Sequence, residues 1–145
     1  MINENINRVN LHEILEKVGA AKDTSAKRDV LKHYDTKTLR YFLKGSFDDT
    51  IEWMLPKGTP PFKENKYRDA EHVRTHVVPR FKYFVKGGPP VKEAKRELMW
   101  IRMLESITWE DAYLLCDMKN GDLAGKYKGF TKKLVMDAFP GLIKK

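Results

Sequence analysis

The feature that most constrains this fold is the helical spacing of its apolar residues. From Leu11 to Val18 they fall at positions i, i+3, i+4 and i+7, which places them on one face of an α-helix. Asn10 and Glu13 supply a capping box before this helix, and Gly19 is its predicted end. No pair of strands with a hairpin signal stands out elsewhere. The sequence therefore predicts an all-α fold, a compact bundle of about six to eight helices.

The same spacing and similar capping signals recur along the chain. Three further helices are predicted in the first part of the chain: one starting at Asp23–Ser25, one capped by Asp35 and ended by Gly45, and one over 70–85 with a break near Pro79. A helix over 91–107 is predicted from its apolar stripe of Ala94, Leu98, Ile101, Leu104 and Ile107. The last two are a helix over 109–119, opened by a Thr108 and Asp111 capping box, and one from Thr131 to just before Pro140.

Length and punctuation indicate one domain. The chain has 145 residues, of which 41% are hydrophobic, and this is enough for a real core in a single domain over 1–145. Proline and glycine mark two surface loops, at 57–69 and 86–91. Phe62 and Tyr67 are expected to pin the first loop to the body of the protein.

Charge and cysteine content restrict the partners and the compartment. The net charge of +8 favours a polyanionic partner, with nucleic acid first. The single cysteine, Cys116, excludes an internal disulfide and suits a reducing cytoplasm, and its apolar neighbours predict a core position. Residues 1–8 do not resemble a signal peptide, and no apolar run is long enough for a membrane span. We expect a cytoplasmic protein without a membrane partner.

The most informative stretch for function is 118–143, MKNGDLAGKYKGFTKKLVMDAFPGLI. Its lysines surround a predicted helix start, where exposed N–H groups attract anions. Positively charged side chains are unfavourable at this end of a helix, so their presence calls for an explanation. Either a phosphate held between the lysines and the N–H groups or a solvated basic surface would explain them. The predicted DNA-contacting residues are Lys119, Gly125, Lys126, Lys128, Gly129, Thr131, Lys132 and Lys133.

This stretch resembles the end of the helical N-terminal DNA-binding domain of ATP-dependent DNA ligases, above all the short form in T-even phages. The resemblance rests on Asp122-Leu123, Gly125, a short basic loop, a capped helix and the closing Phe-Pro-Gly-Leu-Ile of 139–143. The opening is similar more loosely: 11–15 with Gly19 and 27–34 resemble that domain's first two helices, and 41–44 its third. Nearly the whole chain also resembles a family of small proteins from T-even-like phages that carries no known function.

The ligase resemblance implies a protein that binds duplex DNA, intact, nicked or distorted, through phosphates and with little sequence readout. It also implies the cytoplasm of a phage-infected bacterium, a role in replication or repair, and a phage or host replication protein as a further partner. Ligase chemistry is not expected, because the Lys-x-Asp-Gly motif is absent and Lys119 to Asp122 has its residue types in the wrong order. The arginine of the ligase loop is also missing, with Gly125 and Lys126 in its place.

Two other functions stay open. A protein-interaction factor would use Trp53, Phe62 and Tyr67 around the proline-rich loop as its contact surface. A small metal-dependent nuclease would use the carboxylates Asp48, Asp49 and Glu52, although at a predicted helix start these are better explained as capping.

No cofactor or metal site is predicted. His72 and His76 are four residues apart on a predicted helix, as zinc ligands can be, but no third ligand stands at a matching spacing. Trp100 and Trp109 fall within or beside apolar stripes and are expected in the core rather than stacked on bases.

Overall fold

The structure is a computed structural model, and it describes residues 9–67, 78–127 and 129–143. Within these ranges it is helical, with no β-strand, and an isolated antiparallel bridge joins Trp53 to Val85. The predicted all-α fold is confirmed. Its helices are α1 (Leu11–Ala20), α2 (Thr24–His33), α3 (Lys37–Phe47), a 3₁₀ helix (Val78–Tyr83), α4 (Glu93–Ser106), α5 (Trp109–Asn120), α6 (Leu123–Lys126) and α7 (Lys132–Ala138).

Side-chain caps set several helix starts as predicted. Asn10 and Glu13 form the reciprocal capping box of α1. Asp23 accepts a hydrogen bond from the N–H of Ala26 at 2.8 Å, and the hydroxyl of Thr131 accepts one from Leu134 at 3.2 Å. Each satisfies an N–H group that has no partner within its own helix.

The start of α3 differs from the prediction. Thr36 rather than Asp35 is the cap, and its hydroxyl accepts from the N–H of Leu39 at 3.2 Å. The carboxylate of Asp35 instead receives two hydrogen bonds from the guanidinium of Arg40, the shorter at 2.6 Å. This bidentate ion pair explains why Asp35 does not turn inward to the helix end.

Gly45 was predicted to end α3, and this is wrong because the helix continues to Phe47. The glycine allows a close approach instead. A Cβ atom on Gly45 would lie 2.8 Å from the ring of Trp53 and 2.9 Å from the sulfur of Met118. The indole N–H of Trp53 donates to the carbonyl oxygen of Gly45 at 3.1 Å. The absent side chain is therefore a packing requirement between α3 and α5.

The buried face of α4 is only partly the predicted one. Leu104 and Ile107 are buried, but Ala94 and Leu98 are exposed. Trp100 and Met103 are buried instead, with the Trp100 ring against those of Trp53 and Phe84. Trp100 is confirmed as a core residue, and Trp109 is half-buried.

Packing of α1 on α2, α2 on α7, and α3 on α5 builds the core. Cys116 lies within it at 1% exposure, as predicted, and burial raises the pKa of its thiol to about 11.

In the proline-rich loop Phe62 packs against the core, whereas Tyr67 is 74% exposed and does not pin the loop. Of the predicted helix over 70–85, residues 70–77 lie outside the described residues, and 78–83 form the 3₁₀ helix. None of the helices in the described ranges combines the length and apolar character that a bilayer crossing needs.

Candidate nucleic-acid interface

We call residues 125–133, between the end of α6 and the first turn of α7, the basic loop. Apolar residues fix its backbone on both sides. Leu123 and Phe130 are buried, and the ring of Phe130 stacks on that of Phe47 with centroids 6.1 Å apart. The Phe130 end of the loop is thus attached to α3 by a ring contact, directly before Lys132 and Lys133 of α7.

Gly129 lets the loop pass close to α2. Its φ of +81° lies in the left-handed region that glycine adopts without strain. A Cβ atom there would stand 3.1 Å from Cε of Lys27. Both the backbone angle and the close contact favour glycine at this position.

Lys27 is a structural residue that the sequence did not reveal. Its ammonium donates to the carbonyl oxygens of Val18 at 2.9 Å and Ala21 at 3.1 Å, at the C-terminal end of α1. A cation is favourable there because the carbonyls of a helix end lack partners. No local motif marks this role, since it depends on how α2 turns back along α1.

Lys126 is an exposed lysine paired with a buried acid. Its Nζ lies 2.6 Å from Oδ1 of Asp117, and the two side chains are 58% and 8% exposed. The hydrogen bond from this ammonium to the carboxylate raises the pKa of Lys126. Lys126 is therefore charged at neutral pH and keeps part of its surface open to solvent.

Lys132 and Lys133 begin α7. The Nζ of Lys132 lies 3.0 Å from Oδ2 of Asp49, whose side chain is 88% exposed. Lys133 is exposed and has no ion-pair partner among the residues described. Lys128 lies outside the described residues. The structure thus brings Lys126, Lys132 and Lys133 onto one short, supported segment.

Lys119 does not belong to this surface. It is buried, and its ammonium donates to the carbonyl oxygens of Pro56 and Gly58, both at 2.8 Å, and to Oδ1 of Asn120 at 2.6 Å. Burial lowers the pKa of Lys119. Its predicted contact with DNA is corrected, because the ammonium is directed into the protein, where it holds the proline-rich loop to α5.

The start of α7 is a weaker anion attractor than the sequence suggested. The helix has seven residues, and Thr131 already occupies one of its first-turn N–H groups. A short helix and a satisfied donor leave less of the N-terminal field for a ligand. Any attraction for phosphate therefore rests on the lysines.

The alternative sites are rearranged by the fold. Asp48 follows the end of α3 instead of starting a helix. Its buried carboxylate accepts hydrogen bonds from the ammonium of Lys44 and from the N–H and hydroxyl of Thr50. Glu52 is 3.6 Å from Lys86. The described residues contain no group of three histidine, cysteine, aspartate or glutamate side chains suited to a metal ion. His72 and His76 lie outside these residues.

The residues proposed for protein docking are also partly enclosed. Trp53 is half-buried, and its ring meets that of Phe81 edge to face at 4.9 Å. Phe62 lies against Tyr113 at 5.1 Å. Of the predicted contact surface, only Tyr67 is openly exposed.

Comparison with known proteins gives a family but no activity. No curated protein and no solved structure matches the chain. A sequence profile described as a family of unknown function, DUF6433, matches residues 14–125. The match includes α2 to α5 and ends at the first residue of the basic loop. Because it covers well over half of the sequence, this chain belongs to the family DUF6433.

Proposed function

We propose that this protein binds duplex DNA without catalysing a reaction on it, and that the basic loop contacts the phosphate backbone. The observation that carries the proposal is the arrangement of Lys126, Lys132 and Lys133 on a segment fixed by the buried Phe130. Because the backbone beside Phe130 is already packed, binding phosphates would restrict mainly the lysine side chains and not the main chain. The net charge of +8 acts in the same direction.

The chemistry supports backbone binding more than sequence readout. Lysine is a point charge that meets phosphate oxygens readily, whereas base edges are usually read by planar or bidentate groups. Two of the lysines already have carboxylate partners, Asp117 and Asp49. A phosphate would share or replace those partners, which makes the expected affinity moderate and dependent on salt.

The biological setting follows from the ligase resemblance alone. It suggests a phage protein of replication or repair that acts on intact, nicked or distorted duplex in the host cytoplasm. A contact with a replication protein of the phage or host would fit the same setting. Docking through the proline-rich loop is less supported, because Trp53 is half-buried in the core and the exposed part reduces to Tyr67.

The test is fluorescence anisotropy with nicked, intact and single-stranded DNA over a series of salt concentrations. Four lysines in the basic loop, each neutralising one phosphate, would contribute a log–log salt slope of about −3 to −4, at roughly −0.9 per contact. The variant Lys128→Ala/Lys132→Ala/Lys133→Ala leaves Lys126 with Asp117. It should weaken duplex binding for all sequences alike and flatten the slope by about 2 to 3.

The matched control removes the same charge elsewhere. Lys57, Lys92 and Lys95 are exposed and lie outside the basic loop. If the variant Lys57→Ala/Lys92→Ala/Lys95→Ala loses as much affinity and slope, the effect is one of total charge and the loop is not the site. Unchanged DNA binding by a folded loop variant would equally refute the proposal.

A further inference from the structure

A half-open cleft of about 400 Å³ separates α1 from α5 and is bounded by Tyr127 of the basic loop. Its apolar floor is formed by Leu15 and Leu114. We call it the aromatic cleft. The residues that give it chemical character are His12, Glu16, Trp109, Glu110, Tyr113 and Tyr127.

Three aromatic rings line the cleft, and two of them, Trp109 and Tyr113, are held by contacts with other side chains. Trp109 meets Tyr113 edge to face with centroids 6.2 Å apart, and Phe62 supports Tyr113 at 5.1 Å. The hydroxyl of Tyr113 donates to Glu64 at 2.7 Å, outside the cleft lining. These two rings are therefore already positioned before a ligand binds.

The polar groups of the cleft are mainly acidic. Glu16 lies on α1 and has no ion-pair partner within the described ranges. Glu110 lies on α5, with Oε2 3.6 Å from Nε2 of His12. Burial raises the pKa of Tyr127; the nearby charge of Asp117 adds to that rise, and the charge of Lys126 opposes it. The cleft therefore brings two carboxylates, from α1 and α5, to the same aromatic surface, with His12 beside one of them.

His12 is fixed by a buried acid. Asp111 is 1% exposed and accepts hydrogen bonds from the N–H of Leu11 at 3.2 Å, the N–H of His12 at 2.9 Å and Nδ1 of His12 at 2.8 Å. The imidazole is thereby held by Nδ1, with Nε2 beside Glu110. The cleft thus contains a fixed imidazole beside its aromatic rings.

We propose that the aromatic cleft binds an organic cation, a guanidinium or alkylammonium group, between its aromatic rings and the carboxylates of Glu16 and Glu110. Aromatic faces and carboxylates together are the surroundings that such cations select over neutral groups. The volume suits the end of an arginine or lysine side chain, or a small molecule of that size.

The chain already places one of its own cations on this aromatic wall. Nζ of Lys66 lies 5.7 Å from the centroid of the Trp109 ring and 3.4 Å from a carboxylate oxygen of Glu64. An ammonium between an aromatic face and an acid is the arrangement we propose for the ligand. Lys66 does not line the cleft itself, and a ligand would contact the part of the Trp109 ring that does.

The test compares two probes that differ in charge and little in shape, N-acetyl-arginine methylamide and N-acetyl-citrulline methylamide. Both are titrated into the full chain by ¹H–¹⁵N NMR, with the indole N–H of Trp109 as the reporter. We expect the arginine derivative to bind with a millimolar dissociation constant, typical of a single small group, and the citrulline derivative to shift the signal much less. Equal shifts from both probes would overturn the proposal.

Variants then assign the charges and the ring. Glu16→Gln/Glu110→Gln should weaken arginine binding about two- to tenfold, as expected for two partly exposed ion pairs. Trp109→Leu, which keeps apolar volume, should weaken it about two- to fivefold through the lost cation–π contact. The control Asp29→Asn/Glu93→Gln removes the same charge from exposed positions outside the cleft. If the control weakens binding as much as Glu16→Gln/Glu110→Gln, the cleft is not the site.

One further comparison identifies the source of the cation. An arginine within a short peptide that binds more tightly than the free derivative indicates a side chain of a partner protein, and equal affinity indicates a free small molecule. This test stands apart from DNA binding, because neither probe carries a phosphate and the altered residues lie outside the basic loop's lysines.

Discussion

The ammonium of Lys126 lies 2.6 Å from the carboxylate of Asp117, so an exposed lysine neutralises a buried acid. Lys126→Ala should therefore reduce the free energy of unfolding by about 1 kcal/mol, a typical loss for a hydrogen bond to a charged group that is partly screened by solvent. This corresponds to a fall of about 3 °C in Tm by calorimetry.

The control for Lys126 is Lys133→Ala, which removes an exposed lysine that has no ion-pair partner in the described structure and should leave Tm almost unchanged. Adding Asp117→Asn to Lys126→Ala should recover part of the loss, because the buried charge is then gone. Equal Tm values for Lys126→Ala and Lys133→Ala would show that the ion pair of Lys126 with Asp117 does not stabilise the fold.

Asp49 is expected to restrain DNA binding. Its carboxylate pairs with Lys132 at 3.0 Å and is 88% exposed, so it competes with a phosphate for the same ammonium. Asp49→Asn should tighten duplex binding about two- to fivefold at low salt, the range for one exposed ion pair. Asp137→Asn removes an exposed acid elsewhere on α7 and should have a smaller effect in the same anisotropy measurement.

The pair of His12 and Asp111 should make stability depend on pH. The hydrogen bond from His12 to Asp111, with the nearby charges of Asp111, Glu110 and Glu13, raises the pKa of His12 above 6.5 despite the opposing effect of burial. Protonated His12 therefore stabilises the folded state. This stabilisation is fully present below about pH 6.5, the pKa of histidine in the unfolded chain, and it is lost as the pH rises through the pKa of His12 in the folded state.

Urea unfolding across this range measures that contribution. His12→Asn keeps a side-chain N–H that can donate to Asp111 but does not titrate, so stability should fall less between slightly acidic and slightly basic pH than in the unaltered chain. His33→Asn removes an exposed histidine of α2 as a control. An identical pH dependence in the His12 variant and the unaltered chain would contradict this account.

Gly45→Ala should destabilise the protein although alanine favours helices. The new methyl group would stand 2.8 Å from Trp53 and 2.9 Å from Met118, and relieving this overlap costs about 1–3 kcal/mol against a helix-propensity gain of about 1 kcal/mol. Gly19→Ala, with no atom near its Cβ position, should stabilise α1 instead. Chemical denaturation of both variants checks the opposite signs.

The local sequence was sufficient to predict a helix cap where the capping residue and its partner lie within the same helical turn. The capping box of Asn10 and Glu13 and the Thr131 cap were predictable for that reason. Thr108 and Asp111 have the same spacing as such a box, yet Thr108 makes no cap bond and Asp111 bonds the start of α1. The partner that decides the outcome is distant in sequence.

The candidate interface shows the same limit. The exposed lysines of the basic loop could be identified from the run of charge, but Lys119 belongs to the same run and is buried. Its position depends on the carbonyls of Pro56 and Gly58, which no spacing pattern connects to α5. The aromatic cleft was missed because its acids and rings come from α1, α5 and the basic loop, none of which has a motif of its own.

The buried thiol of Cys116 can report how often α5 separates from the rest of the protein. Thiolate is the form that reacts with alkylating reagents, and a pKa of about 11 together with burial keeps almost none of it available in the native state. Modification must wait until α5 separates from its neighbours. Because the sequence contains one cysteine, the rate of labelling reports how often that separation occurs, with no other site contributing to the signal.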